Sequence, residues 1–130
     1  MRYLLDTCAF VWIAAEPEKL PDTTLSLVSD PDAEILISSV SAAEIACAYE
    51  RRRLVLDRHW KTWFRFVASE NGWEVLDITL RIIEEAWSLP GEFHADPADR
   101  VIVATARSMD LVVITGDERI LEYPHVESLF

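Results

Sequence analysis

His94 to Ala106 reads HADPADRVIVATA, and the reading of these thirteen residues decides the fold. Asp96-Pro97 is a helix start: a carboxylate at the N-cap, then a proline at the first helical position, where its missing N–H costs nothing. Asp99 falls at the third helical position, in the positive field of the helix N-terminus. Val101 to Ala106 is apolar almost all round, which predicts a buried helix. Two carboxylates at the mouth of a buried helix are an uncommon pair. Capping accounts for Asp96. It does not account for Asp99, because three other acids occupy comparable places along the chain.

The first is Asp6, at the end of a short strand, Arg2–Leu5, and before a helix, Cys8–Ala15, that it could equally cap. A second helix starts at Asp22 and runs to about Ser29, and Asp30-Pro31-Asp32 makes a turn. Glu34–Ser38 is the second strand, with Ile35, Leu36 and Ile37 as a continuous apolar run. Ser41-Ala-Ala-Glu44 then has the spacing of a capping box, so Glu44 reads equally as a cap reaching back to the Ser41 backbone or as a site acid. That helix runs to about Arg53. A further helix ends at Asn71-Gly72, Trp73–Leu76 is a third strand, and Thr79–Leu89 is a helix stopped by Pro90-Gly91. Leu111–Ile114 is a fourth strand, with Asp117 turning out of its end, and Val126–Leu129 is a last short strand. His94 reads as a loop residue bonded to backbone, without metal-ligand company. Strands alternating with helices predict a parallel sheet covered on both faces.

Composition narrows the class. The chain has 130 residues, 51% of them hydrophobic, and three glycines, which predicts one domain with a real core and no disorder. Cys8 and Cys47 lack metal-type spacing and are too few for a disulfide scaffold. The opening MRYLLDTCAFVWIAA is split by Asp6, which argues against a signal peptide, and no run is long enough to span a membrane. A cytoplasmic protein is expected. The net charge of −11 repels phosphate backbones overall. Against that background, Arg51 to Arg65 (RRRLVLDRHWKTWFR) holds six of the 12 lysines and arginines, interleaved with Trp60, Trp63 and Phe64. The aromatics read as core. Arg51, Arg52 and Arg53 read equally as a solvated face or as contacts for single-stranded nucleic acid, and the stretch Trp60–Phe66 could offer a groove to a partner helix.

In a doubly wound sheet, Asp6, Glu44, Asp99 and Asp117 converge on one edge. Crowded carboxylates stay ionised only when a cation joins them, and hard oxygen donors select Mg²⁺ or Mn²⁺. Such ions support phosphodiester hydrolysis by an activated water. The chain has no G-x-S-x-G elbow, no phosphate-binding glycine loop and no histidine cluster. A receiver-type phosphoacceptor domain fails too, since it needs a lysine late in the chain and the only two are Lys19 and Lys61.

The segments LLDTCAFVW, ISSVSAAEIA, HADPADRVIVATA and VVITGDERILEYPHV resemble, in order and spacing, the PIN-domain ribonucleases, in particular the VapC toxins of bacterial toxin–antitoxin pairs. The resemblance runs from Met1 to the C-terminus. It implies a single PIN domain over residues 1–130, a three-layer α/β/α fold with a mostly parallel sheet of four to five strands. By the same resemblance Asp6, Glu44, Asp99 and Asp117 are the catalytic, metal-holding acids, with Thr7, Thr115 and Asp96 beside them. The implied activity is that of an Mg²⁺- or Mn²⁺-dependent endoribonuclease, homodimeric and restrained by a small VapB-like antitoxin. Cys8 and Ala43 depart from close relatives, which often carry His or Ser and Trp there. A PIN nuclease in RNA processing or acting on DNA, and a PIN module that binds without cutting, are the alternatives.

Overall fold

Five strands, β1 (Arg2–Leu5), β2 (Glu34–Ser38), β3 (Glu74–Leu76), β4 (Val112–Ile114) and β5 (Ser128–Leu129), form one sheet in the computed structural model, which describes residues 1–130. All four pairings are parallel, and the order is β3-β2-β1-β4-β5. Seven α-helices cover it: α1 (Thr7–Ala15), α2 (Asp22–Val28), α3 (Ser39–Glu50), α4 (Trp60–Asn71), α5 (Leu80–Ala86), α6 (Pro97–Met109) and α7 (Glu118–Leu121). The expected three-layer α/β/α architecture is the observed one.

The layering follows from strand alternation. Tyr3, Leu5, Ile35, Ile37, Val112 and Ile114 face one side and pack with Phe10 of α1, Ile45 of α3, and Trp63, Phe64 and Val67 of α4. Leu4, Leu36 and Val113 face the other and pack with Ile102, Val103 and Ala106 of α6, Ile120 of α7 and Tyr123. Ile82 and Ala86 of α5 lie on Val101 and Ala104, so α6 is enclosed by the sheet beneath and α5 above. This is why Val101 to Ala106 is buried at every position, as its apolar run predicts.

Trp63 and Phe64 of the basic stretch are core, as expected. Phe10 stacks on Phe64 at 5.1 Å between ring centroids and meets Trp63 edge-on at 5.6 Å. Within Trp60–Phe66 the exposed ring is Phe66, which lies under the Arg58 guanidinium. Gly72 closes α4 with φ +68°, a left-handed cap that glycine takes without strain.

Several element ends differ from the sequence reading. Helix α1 begins at Thr7, one residue early, because Asp6 caps it directly. Helix α3 stops at Glu50, short of the arginines, and α5 stops at Ala86. Strands β3, β4 and β5 are each shorter than expected at the N-terminal side. Helix α7 is additional to the expected elements, since four residues are too few for a periodic signal.

The strand order has a functional consequence. From β1 the chain moves outward through β2 and β3, then crosses back to β4 and β5 on the other side of β1. The switch falls between β1 and β4, and the connections leaving the carboxyl ends of these two strands diverge. Open α/β sheets bind ligands in such a crevice. Asp6 follows β1, and Thr115 and Asp117 follow β4.

Candidate functional site

Asp6 is buried to 6% exposure, and its two oxygens do different work. Oδ1 accepts the N–H of Ala9 at 2.8 Å and caps α1. Oδ2 accepts the hydroxyl of the fully buried Thr115, whose oxygen in turn accepts the Asp117 N–H at 2.9 Å. The capping role and the site role of Asp6 are therefore compatible.

Glu44 is not in a capping box. The cap of α3 is Ser38, the last residue of β2, whose hydroxyl accepts the Val40 N–H at 3.1 Å. The helix thus starts before Ser41, which sits buried in its first turn. Thr7 donates its hydroxyl proton to the Glu44 carboxylate, and its oxygen lies 2.9 Å from Ser41 Oγ. Glu44 is steered toward α1 rather than back along its own helix.

Asp96 is the N-cap of α6 as expected, accepting the Asp99 N–H at 3.2 Å, with Pro97 at the first position. Asp99 projects from the first turn, its side chain 14% exposed. Asp117 caps α7 by accepting the Arg119 N–H at 2.9 Å. Asp6, Thr7, Glu44, Asp96, Asp99 and Asp117 line one pocket of about 520 Å³. Of the three basic candidates Arg53 joins that lining, whereas Arg51 and Arg52 do not. Arg51 closes α3 as its C-cap and Arg52 turns the chain with φ +57°.

Two residues that the sequence reading did not place at the site touch its acids, Arg119 from within the pocket lining and His94 from outside it. Arg119 reaches back to Asp117 with Nε at 3.1 Å and Nη2 at 2.8 Å, and Nη2 stands 3.5 Å from Asp99 Oδ2. His94 Nε2 lies 3.2 Å from the same Asp99 oxygen, so the expectation that His94 lacks ligand company is corrected. Ligand atoms of His94, Asp99 and Asp117 fall within 4.8 Å of one another. The backbone bond expected for His94 is present, with Nδ1 accepting the Asp96 N–H at 3.3 Å. No local pattern could reveal the Asp99 contact, because His94 lies outside the helix that presents the acid.

The loop carrying His94 is held by Arg100. Its guanidinium donates to the carbonyls of Ala86 (2.9 Å), Phe93 (2.9 Å) and His94 (3.0 Å). Phe93 lies against the His94 ring at 4.3 Å between centroids. On the opposite rim, Gly116 leaves room for Trp12 and Phe130: a Cβ there would meet both rings at 3.1–3.3 Å.

The electrostatics are those of crowded acids. Burial, then Asp96, Asp117 and Glu44, push Asp99 up to about 7, with Arg119 opposing. Burial raises Asp6 and Glu44 as well, against the hydroxyls that hydrogen-bond them. Asp117 alone among the four is lowered, chiefly by its Arg119 hydrogen bonds. Cys8 lines the pocket too, and desolvation of its thiol with the neighbouring acids raises it to about 11, which disfavours the thiolate at neutral pH. Hard oxygen donors carrying excess negative charge are suited to a divalent cation such as Mg²⁺ or Mn²⁺. The raised Asp99 is what such a set shows when protons and one guanidinium are its available counter-charges.

Residues 3–126 match the PIN domain family. Ribonuclease VapC22 of Mycobacterium tuberculosis is 30% identical over 122 residues, spanning 94% of this chain and 92% of that protein. Among solved structures, VapBC2 from Rickettsia felis bound to a DNA fragment from its promoter superposes with a TM-score of 0.73 at 19% identity, covering 99% of this chain and 98% of that one. DNA-bound VapBC from Salmonella typhimurium superposes with a TM-score of 0.71 at 20% identity, covering 99% and 97%. The solved structures share the fold, and the residues matched to the family include every acid of the pocket. On the family match and the relative together, the chain belongs to the PIN domain family.

Proposed function

We propose that the protein is an Mg²⁺- or Mn²⁺-dependent endoribonuclease and the toxin of a VapBC-type pair. The observation that carries the reading is the convergence of Asp6, Glu44, Asp99 and Asp117, from four separate segments, on the crevice between β1 and β4. The full-length relative named as a ribonuclease and the superposition on VapBC complexes support it.

Asp6, Asp99 and Asp117, with Glu44 across the pocket, are the residues that would hold the ion. When bound, it supplies water activation at neutral pH and stabilisation of the leaving oxygen. The chain's own contribution is preorganisation. Thr115 fixes Asp6 against the Asp117 turn, Thr7 fixes Glu44, and the α6 N-terminus presents Asp99. Arg119 occupies oxygens of Asp99 and Asp117 that the ion would take. Arg53, on the rim of an otherwise acidic pocket, offers a positive charge to the RNA backbone.

A small VapB-like antitoxin, with a basic side chain for the acids, is the partner this reading implies, and a homodimer is the implied assembly. The test is cleavage of RNA by the purified chain. Cleavage should require Mg²⁺ or Mn²⁺, leave a 5′-phosphate and stop with EDTA. Full activity in EDTA, or a 2′,3′-cyclic phosphate product, would sink the mechanism. Co-expression with an antitoxin encoded beside it should give a stable, inactive complex. A chain that cuts RNA but is harmless in its host and binds no such partner would be a PIN nuclease outside a toxin system.

A further inference from the structure

Arg119 holds the acids from inside the pocket. Its guanidinium sits on Asp117 as a fork, Nε 3.1 Å from Oδ1 and Nη2 2.8 Å from Oδ2, while Nη2 also stands 3.5 Å from Asp99 Oδ2. A fork of this kind fits a carboxylate and a phosphate alike. The side chain lines the pocket and is 58% exposed, so its guanidinium can move within the opening on a flexible stem. An exposed ion pair is weak and gives way readily to a stronger ligand of the same oxygens.

The charges around the pocket show where a released guanidinium is needed. Five acids, Asp6, Glu44, Asp96, Asp99 and Asp117, line it against two arginines, Arg53 and Arg119. Of the two, Arg119 contacts the acids. Carboxylates that gather a cation repel the phosphate they act on, and one divalent ion does not neutralise five of them. A guanidinium freed at the same place supplies further attraction, and its fork matches the non-bridging oxygens of a phosphodiester.

We propose that Arg119 is a substrate-contacting residue that exchanges one anion for another: it pairs with Asp117 and Asp99 while their oxygens are free, and with the non-bridging oxygens of the scissile phosphodiester once a divalent ion holds those acids. The proposal rests on the nuclease reading. One side chain thus weakens binding of the ion and strengthens binding of the RNA, so its removal has effects of opposite sign.

The experiment uses the full chain with Arg119→Gln, which removes the charge, and Arg119→Lys, which keeps the charge without the fork. Mn²⁺ affinity is measured by calorimetry without RNA, and kcat and KM are measured on single-stranded RNA at saturating Mn²⁺. Arg119→Gln should bind Mn²⁺ about twofold to fivefold more tightly, the range for freeing ligand oxygens from an exposed ion pair. Its kcat/KM should fall by about tenfold to a hundredfold, the range for a hydrogen bond between charged groups, and Arg119→Lys should recover part of that loss. Melting temperatures should stay close to wild type, because the pair is exposed. A merely structural arginine would not tighten one ligand while weakening the other.

Unchanged or weaker Mn²⁺ binding by Arg119→Gln would show that Arg119 does not contend for the ion's oxygens, and would overturn the proposal. Wild-type or faster cleavage by Arg119→Gln at saturating Mn²⁺ would overturn it as well, leaving the arginine a blocker of the site alone. A wild-type chain that binds Mn²⁺ but cuts no RNA would overturn the nuclease reading itself, a failure visible before either variant is made.

Discussion

Thr115 joins Asp6 to the opposite strand of the crevice: its hydroxyl donates to Asp6 Oδ2 and accepts the Asp117 N–H at 2.9 Å. One buried oxygen thus sets the spacing between the acid after β1 and the acid after β4. The threonine, rather than any bond between the two carboxylates, supplies the geometry.

Thr115→Val should therefore leave a buried carboxylate oxygen and a backbone N–H without partners. The expected loss is about 1–3 kcal/mol of stability, with Thr115→Ser close to wild type. Denaturant unfolding of the two variants is the check, and equal stability of valine and threonine would show the bond to be dispensable.

Asp96 and Asp99, three residues apart, should respond differently to amidation. Asp99→Asn should fold and melt at or above the wild-type temperature, because one charge leaves a repulsive cluster, while metal affinity and cleavage collapse. Asp96→Asn keeps a capping oxygen and should change little, whereas Asp96→Ala should cost about 1 kcal/mol. Thermal melts and cleavage rates with Mg²⁺ titrated would show an inactive Asp96→Asn beside an active Asp99→Asn if the roles were reversed.

Asp99 also predicts a pH dependence of stability. Its folded value of about 7 lies above the ordinary 3.8, so between these values the folded chain holds a proton that the unfolded chain has lost. The contribution is fully present below 3.8 and is lost as pH rises through about 7. Without divalent ions, wild type should lose stability relative to Asp99→Asn across that window, and added Mg²⁺ should restore more of it above the window than within it. A stability difference between the two chains that does not vary with pH would contradict this assignment.

The three consecutive arginines should separate as well. Arg53→Ala should reduce the salt dependence of RNA binding, since deleting one phosphate-pairing charge lowers the slope by about one. Arg51→Ala and Arg52→Ala should leave the slope unchanged, because neither side chain lines the acidic pocket. Fluorescence anisotropy across a salt series reads this directly, and an equal response from all three would point to diffuse attraction.

Much of the fold was legible because its signals are local. Asp96-Pro97 marks the start of α6, Gly72 the end of α4, and the apolar runs of β1 and β2 their burial on both faces. Each of these depends on neighbours within a turn of helix or on strand alternation. The same locality misled at Ser41, where the serine-to-glutamate spacing fits a capping box. Ser38 caps that helix instead, which places Ser41 inside it, where its hydroxyl meets Thr7.

By itself the sequence determined the alternation of strands and helices, and with it the placing of Asp6 and Asp117 at strand ends and of Asp99 in the first turn of a buried helix. The tertiary structure decided which side chains meet them. Arg119 on Asp99, Thr7 on Glu44 and Arg53 at the rim depend on the order β3-β2-β1-β4-β5, and His94 over Asp99 on a loop clamped by Arg100. Capping and periodicity act over a few residues. A site at a switch point is assembled across the sheet, by parallel crossovers whose spatial order no local pattern records.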